Sequence, residues 1–206
     1  MKRDKAHAFA LKDLRELSVH VVHAPDEDGL ALLDHLRRIG CKAEAHWPPP
    51  ERLPGHADLL FVAIDREIHA QVTKLLRRAE TAPAVVAVVD YENPATLQLV
   101  LETRSFAVIG KPIRPFGLLA NLVVARNTFL ELEKLQGRLS TLEAKLASER
   151  NIAKAKSILM EFQGLSEAEA YRSLRAQAMA KRTTIEEIAL AIVHANDLLN
   201  FRPDRA

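Results

Sequence analysis

Two groups of residues in this 206-residue chain could do chemistry. The first is Asp26, Asp28, Asp65 and Lys111, the lysine standing before Pro112 after a short apolar run. Carboxylates gathered around one lysine can hold a hard cation such as Mg²⁺, which demands oxygen ligands, and so serve phosphoryl transfer. The second group is basic: from Arg150 to Arg182 seven Lys/Arg stand against Glu161, Glu167 and Glu169. A basic face on a small helical unit attracts a phosphate backbone, and a plain solvated surface accounts for the same count.

Enzyme classes are poorly served. The chain has no Gly-rich phosphate loop, no G-x-S-x-G and no spaced His/Cys cluster, its eight histidines being scattered. The single cysteine, Cys41, excludes an internal disulfide, fits a reducing compartment and reads as a small buried residue. No catalytic residue, metal site or cofactor is expected. Hydrophobic content of 48% with a net charge of +2 is ordinary for a soluble globular protein. Without a long apolar span or a signal-peptide core at the start, the expectation is a cytoplasmic protein with no membrane partner.

The elements that would position these residues follow from periodicity. Residues 1–16 are a charged leader. Strands are expected at Leu17–Ala24, Cys41–Trp47, Asp58–Ile64, Ala84–Val89 and Phe106–Ile109. Helices fall at Asp26–Ile39, with Leu30, Leu33 and Leu36 inward and Gly40 as the stop, at Glu67–Ala79 and at Ala95–Arg104. This alternation implies an α/β, flavodoxin-like parallel sheet over residues 17–116. Prolines 48, 49, 50 and 54 leave no room for a helix between the second and third strands. The run Trp47-Pro-Pro-Pro is either a stiff surface turn or a docking edge.

From Phe116 the chain reads as helix to Gln163. Leu132, Leu135, Leu139, Leu142 and Leu146 alternate three and four apart, with Ala125 and Thr128 as weaker upstream members. That is a coiled-coil dimerisation seam within residues 117–150. Residues 151–206 form an all-α three-helix unit. Its stripes are Ile152, Ala155, Leu159 and Phe162, then Ala170, Tyr171, Leu174 and Ala178, then Ile185, Ile188, Ala189, Ile192 and Val193. Ser166 with Glu169, and Thr183 with Glu186, are capping boxes.

The runs A-K-x-I-L-M at Ala155–Met160, S-E-x-E-A at Ser166–Ala170, Leu174-Arg175, A-M-x-x-R at Ala178–Arg182 and I-x-E-I-A at Ile185–Ala189 resemble the ANTAR domain, an RNA-binding module of transcription antitermination regulators. On this resemblance Lys154, Lys156, Arg172, Arg175, Lys181 and Arg182 would meet phosphates, and Met179 and Tyr171 bases.

The five-strand region ending in Gly110-Lys111-Pro112 resembles a response-regulator receiver domain. The pattern puts His23 and Ala24 where that family has its acidic pair and Ala63 where it has the phosphate acceptor. Asp26, Asp28 or Asp65 would restore the chemistry if the register slipped by two residues, one full side-chain period. Otherwise this is a pseudo-receiver with a degenerate phosphorylation site, and Lys111 is left without a carboxylate partner.

Together, with LRRIGC at Leu36–Cys41, Trp47-Pro-Pro-Pro-Glu51 and VVDYENP at Val88–Pro94, the chain resembles AmiR-type antitermination regulators. The resemblance implies a homodimer that binds stem-loops of nascent leader mRNA and prevents a terminator from forming. It also implies control through sequestration by a cytoplasmic ligand-binding repressor of the periplasmic-binding-protein type that senses an amide. Two other readings are a DNA-binding, response-regulator-like transcription factor and a protein-interaction adaptor without nucleic-acid binding.

Overall fold

The computed structural model describes residues 11–79, 81–90 and 94–199. Residues 1–10 of the expected leader and 200–206 of the C-terminal unit lie outside the described residues, and Leu11–Glu16 form a 3₁₀ helix. Two compact units meet between Glu133 and Lys134.

The first unit is a five-stranded parallel sheet of order β2-β1-β3-β4-β5, the doubly wound order expected. Its strands are β1 (Ser18–Val22), β2 (Lys42–His46), β3 (Leu59–Ala63), β4 (Ala84–Val89) and β5 (Ala107–Gly110). The apolar run of β4 is wholly buried, as a central strand covered on both faces must be. Helices α1 (Glu27–Ile39), α2 (His69–Arg78) and α3 (Pro94–Glu102) make the crossovers, and no helix joins β2 to β3.

Alternation of side chains sorts the two faces. Val19, Val21, Leu59, Phe61, Val86 and Val88 pack with Leu32, Leu33 and Leu36 of α1 and with Leu118, Leu122, Ala125 and Phe129 of α4 (Pro115–Gln163). Val22, Leu60, Val62 and Val85 pack with Val72 and Leu75 of α2 on the other face. Leu30, expected inward, is 56% exposed, and Leu32 takes its place in the core. Ala125, expected as a seam residue, is fully buried in this core. Both misplacements reflect stripes whose steps of three and four residues fit neighbouring helix phases almost equally.

Local chemistry sets the ends of α1. The Asp26 carboxylate accepts from the Gly29 N–H at 2.8 Å, and Gly40 closes the helix at φ 104°. A Cβ on Gly29 would lie 2.2 Å from the Ala24 carbonyl oxygen, so only glycine lets α1 settle against the end of β1. The first part of α4 is tied to the sheet by Arg126. Its guanidinium donates to the Asp58 carboxylate at 2.5 Å and the Asp58 carbonyl at 3.2 Å, while Asp58 also accepts from the Ser18 N–H at 3.0 Å.

The second unit carries the rest of α4, α5 (Glu167–Lys181) and α6 (Ile185–Leu199). Ala155, Leu159, Ala170, Leu174, Ala178, Ile188, Ala189 and Val193 form its core, with Ile152, Ile185 and Ile192 packed against it. Ser166 caps α5 in a full capping box: its hydroxyl accepts from the Glu169 N–H, and the Glu169 carboxylate accepts from the Ser166 N–H at 2.9 Å. The second capping signal is displaced by one residue from its expected place and is only half a box. Thr184, not Thr183, caps α6 by accepting from the Glu187 N–H at 3.2 Å, and the Glu187 carboxylate accepts from the Thr183 hydroxyl. Phe162 and Tyr171, expected in the core, are 66% and 46% exposed. Among the described residues, no helix is long and apolar enough to cross a membrane.

Candidate nucleic-acid interface and the recess at Lys111

The basic side chains divide into two sets. Lys154 on α4 donates to both Asp197 oxygens of α6 at 3.0 and 3.2 Å, and Lys156 to Glu167 of α5 at 2.5 Å. These two lysines brace the bundle, and the hydrogen bond from Lys156 holds the Glu167 carboxyl below its ordinary pKa. Exposed pairs of this kind contribute little, so a phosphate can displace the carboxylate at small cost.

Arg175, Lys181 and Arg182 form no salt bridge among the described residues, and Arg172 lies near enough to Glu169 to help lower that carboxyl. At 3.6 residues per turn Arg172, Arg175 and Met179 share one face of α5, about a third of a turn round from the buried Ala170, Leu174 and Ala178. All three are exposed, Met179 by 72%. Lys181 falls two and a half turns from Arg172 and projects on another side. Arg182 is the helix C-cap in the left-handed region at φ 54°, a place usually given to glycine. An exposed thioether and Tyr171 beside unpaired guanidinium groups can meet both phosphates and unstacked bases.

Leu132, Leu135, Leu139, Leu142 and Leu146 lie along α4 with 43, 56, 57, 64 and 49% of their surface exposed. This leucine stripe at three-and-four spacing leaves roughly half its area in water.

At the carboxyl ends of the strands, His23, Ala24, Ala63 and Lys111 line one small recess with Asp26, Asp65 and Asp90. The expectation that Lys111 lacks a carboxylate partner is incorrect. Its ammonium sits 2.7 Å from Asp90 and 3.9 Å from Asp28. Asp28, in the first turn of α1, is among the carboxylates the sequence singles out; Asp90, directly after β4, is not.

His23 is buried, with Nδ1 2.8 Å from the Ala24 carbonyl oxygen and 3.4 Å from Asp26; its Nε2 has no hydrogen-bond partner. Asp26 is already engaged, capping α1 and facing His23. Its pKa is lowered although partial burial, the largest influence, raises it; the Gly29 N–H, His23 and Lys111 prevail. Asp26, Asp65 and Asp90 do not bring their oxygens together as a ligand set. Ala63, at the end of β3, offers this recess only a methyl group.

Elsewhere the strand register creates a group that sequence spacing hides. His20, Glu44 and His46 have ligand atoms all within 4.8 Å of one another, although β1 and β2 are separated by α1. No spacing rule finds it, because parallel pairing brings distant residues side by side. Cys41 is buried, and desolvation pushes its thiol up to about 11, away from the reactive thiolate form.

Known families and proteins match the chain as follows. A family model described as AmiR, N-terminal matches residues 17–126, and one described as ANTAR domain matches residues 140–193. The chain is 36% identical over 180 residues to Aliphatic amidase regulator of Pseudomonas aeruginosa, covering 87% of this chain and 92% of that one. It is 38% identical over 82 residues to Nitrate regulatory protein of Klebsiella oxytoca, covering 40% of this chain and 21% of the other. A response regulator receiver protein from Burkholderia phymatum superposes with a TM-score of 0.44 at 17% identity, over 52% of this chain and 93% of its own.

Proposed function

The chain belongs to the AmiR family of ANTAR-bearing antitermination regulators, and from that membership we propose that it is an RNA-binding positive regulator. As a dimer it binds paired stem-loops in nascent leader mRNA, keeps the terminator hairpin from forming, and so lets transcription continue. The observation that carries this reading is the exposed face of α5, where Arg172, Arg175 and Met179 stand together beside Arg182 within the ANTAR match. Arginines position the phosphates of a loop whose splayed bases meet Met179 and Tyr171.

In this proposal residues 17–116 are a pseudo-receiver, 117–150 a dimerisation helix and 151–206 the RNA-binding unit, preceded by a leader at 1–16. The leucine seam joins two RNA-binding units, and two linked units on two loops gain avidity without any new contact. Ala63 and the engaged Asp26 argue against phosphorylation as the signal. Control passes instead to a cytoplasmic ligand-binding repressor of the periplasmic-binding-protein type, which holds the regulator until an amide arrives. The chain acts by binding rather than catalysis, and its work on nascent transcripts is cytoplasmic.

Charge reversal tests the interface. In gel-shift titrations with a hairpin RNA at fixed salt, Arg175→Glu with Arg182→Glu abolishes binding while far-ultraviolet circular dichroism stays unchanged. Binding that survives the double substitution contradicts the assignment of this face.

A further inference from the structure

We infer that His20, Glu44 and His46 form a site for a borderline divalent cation of the Zn²⁺ class, which clamps the edge strand β2 to β1.

The geometry begins with the sheet register. His20 of β1 pairs with Glu44 of β2, and Val22 pairs with His46, so parallel strands about 4.8 Å apart put three ligand-bearing side chains on one face. The structure brings them together: His20 Nδ1 lies 2.7 Å from His46 Nε2, the rings stack at 5.0 Å and 11°, and all three ligand atoms lie within 4.8 Å of one another.

The surroundings suit an ion. His20 is 2% exposed, on the same face as the buried Val22 and Leu60, where a polar ring needs a strong partner. Glu44 is exposed and His46 half-buried, which gives a cation a way in from solvent. This corner remains accessible because residues 47–58 run as bends where other crossovers of this sheet supply a helix.

The donor set selects the metal. Two imidazoles and one carboxylate match Zn²⁺, Co²⁺ or Ni²⁺; Mg²⁺ and Ca²⁺ prefer oxygen alone. Zn–N bonds of about 2.0–2.1 Å in a tetrahedron separate two nitrogens by about 3.3 Å. The 2.7 Å contact therefore opens by roughly 0.6 Å as the ion replaces the hydrogen bond. Water completes the fourth position, and Ser18 Oγ, 3.5 Å from His20 Nε2, stands where an outer hydrogen bond orients the ring.

The test uses the full chain, without an affinity tag and stripped by chelator. Titration with Co²⁺ gives the intense visible absorption of a four-coordinate ion at one equivalent per chain, and Zn²⁺ displaces it. His46→Gln and Glu44→Gln each weaken that binding at least tenfold and abolish the rise in melting temperature that Zn²⁺ gives the parent. His56→Gln and His194→Gln, outside the cluster, leave both readouts intact. Absorption and thermal response identical in the parent and His46→Gln overturn the site, as does a parent that yields only the weak absorption of six-coordinate Co²⁺.

Discussion

Replacing Leu139 by alanine weakens self-association through the leucine seam, and the size of the effect follows from its surface. Leu139 is 57% exposed in the single chain. On a leucine of ~180 Å² that leaves roughly 100 Å² for a partner helix to cover, about 2.5 kcal/mol at ~25 cal/mol/Å². Alanine keeps about a third of that contact, so each chain loses about 1.5 kcal/mol and a symmetric dimer about 3 kcal/mol. A loss of that size raises the dimer Kd about 100-fold. Sedimentation equilibrium over a concentration series reads it directly. Leu101→Ala is the control: this residue on α3 is 72% exposed and lies off the seam, so its variant keeps the parent Kd. A Leu139→Ala dimer within threefold of the parent refutes the reasoning, most pointedly if Leu101→Ala is the variant that dissociates.

Three further outcomes follow from particular atoms. Arg182→Gly relieves a left-handed side-chain-bearing residue and stabilises the second unit by about 1 kcal/mol, yet weakens RNA binding; thermal melts and gel shifts should move in opposite directions. Gly29→Ala drives a Cβ against the Ala24 carbonyl and costs about 1–3 kcal/mol in the first unit, whereas Gly137→Ala, in open space on α4, stabilises by about 1 kcal/mol in denaturant titrations. Hydrogen bonds from the Ser166 side chain and then its backbone N–H hold the Glu169 carboxyl below its ordinary value of 4.5. A depressed carboxylate contributes stability above its unfolded pKa and loses it as pH falls through the folded value, so the second unit weakens on acidification below about 4.5 and Glu169→Gln flattens that part of the melting profile.

The sequence made legible whatever is written in neighbouring residues. The six apolar residues of β4, the glycine closing α1, the prolines that remove one crossover and the Ser166 capping box all act within a few positions of themselves. Legibility failed where phase or pairing decides. Leu30 and Leu32 compete for one helical stripe, and only the packing of α1 against the sheet chooses between them. The same ambiguity put Ala125 on the seam and Tyr171 in the core. Thr183 and Thr184 are adjacent hydroxyls, each with a glutamate three residues on, and the backbone uses the second.

Non-local pairs are hidden altogether. Arg126 meets Asp58, Lys111 meets Asp90, and His20 meets His46 only because the chain returns on itself. In the candidate RNA face the local pattern located the helix and its arginines. It did not separate Lys154 and Lys156, whose carboxylate partners come from other helices, from arginines that point freely into solvent.

The most direct test of the account is binding of the purified protein to the leader RNA of its own operon with both stem-loops intact. One loop deleted and duplex DNA at equal salt are the comparison arms, each with and without a phosphodonor and Mg²⁺. The account predicts tight binding that needs both loops and is indifferent to the phosphodonor. Equal affinity for the one-loop RNA or for duplex DNA, or binding that appears only after phosphodonor treatment, would contradict it.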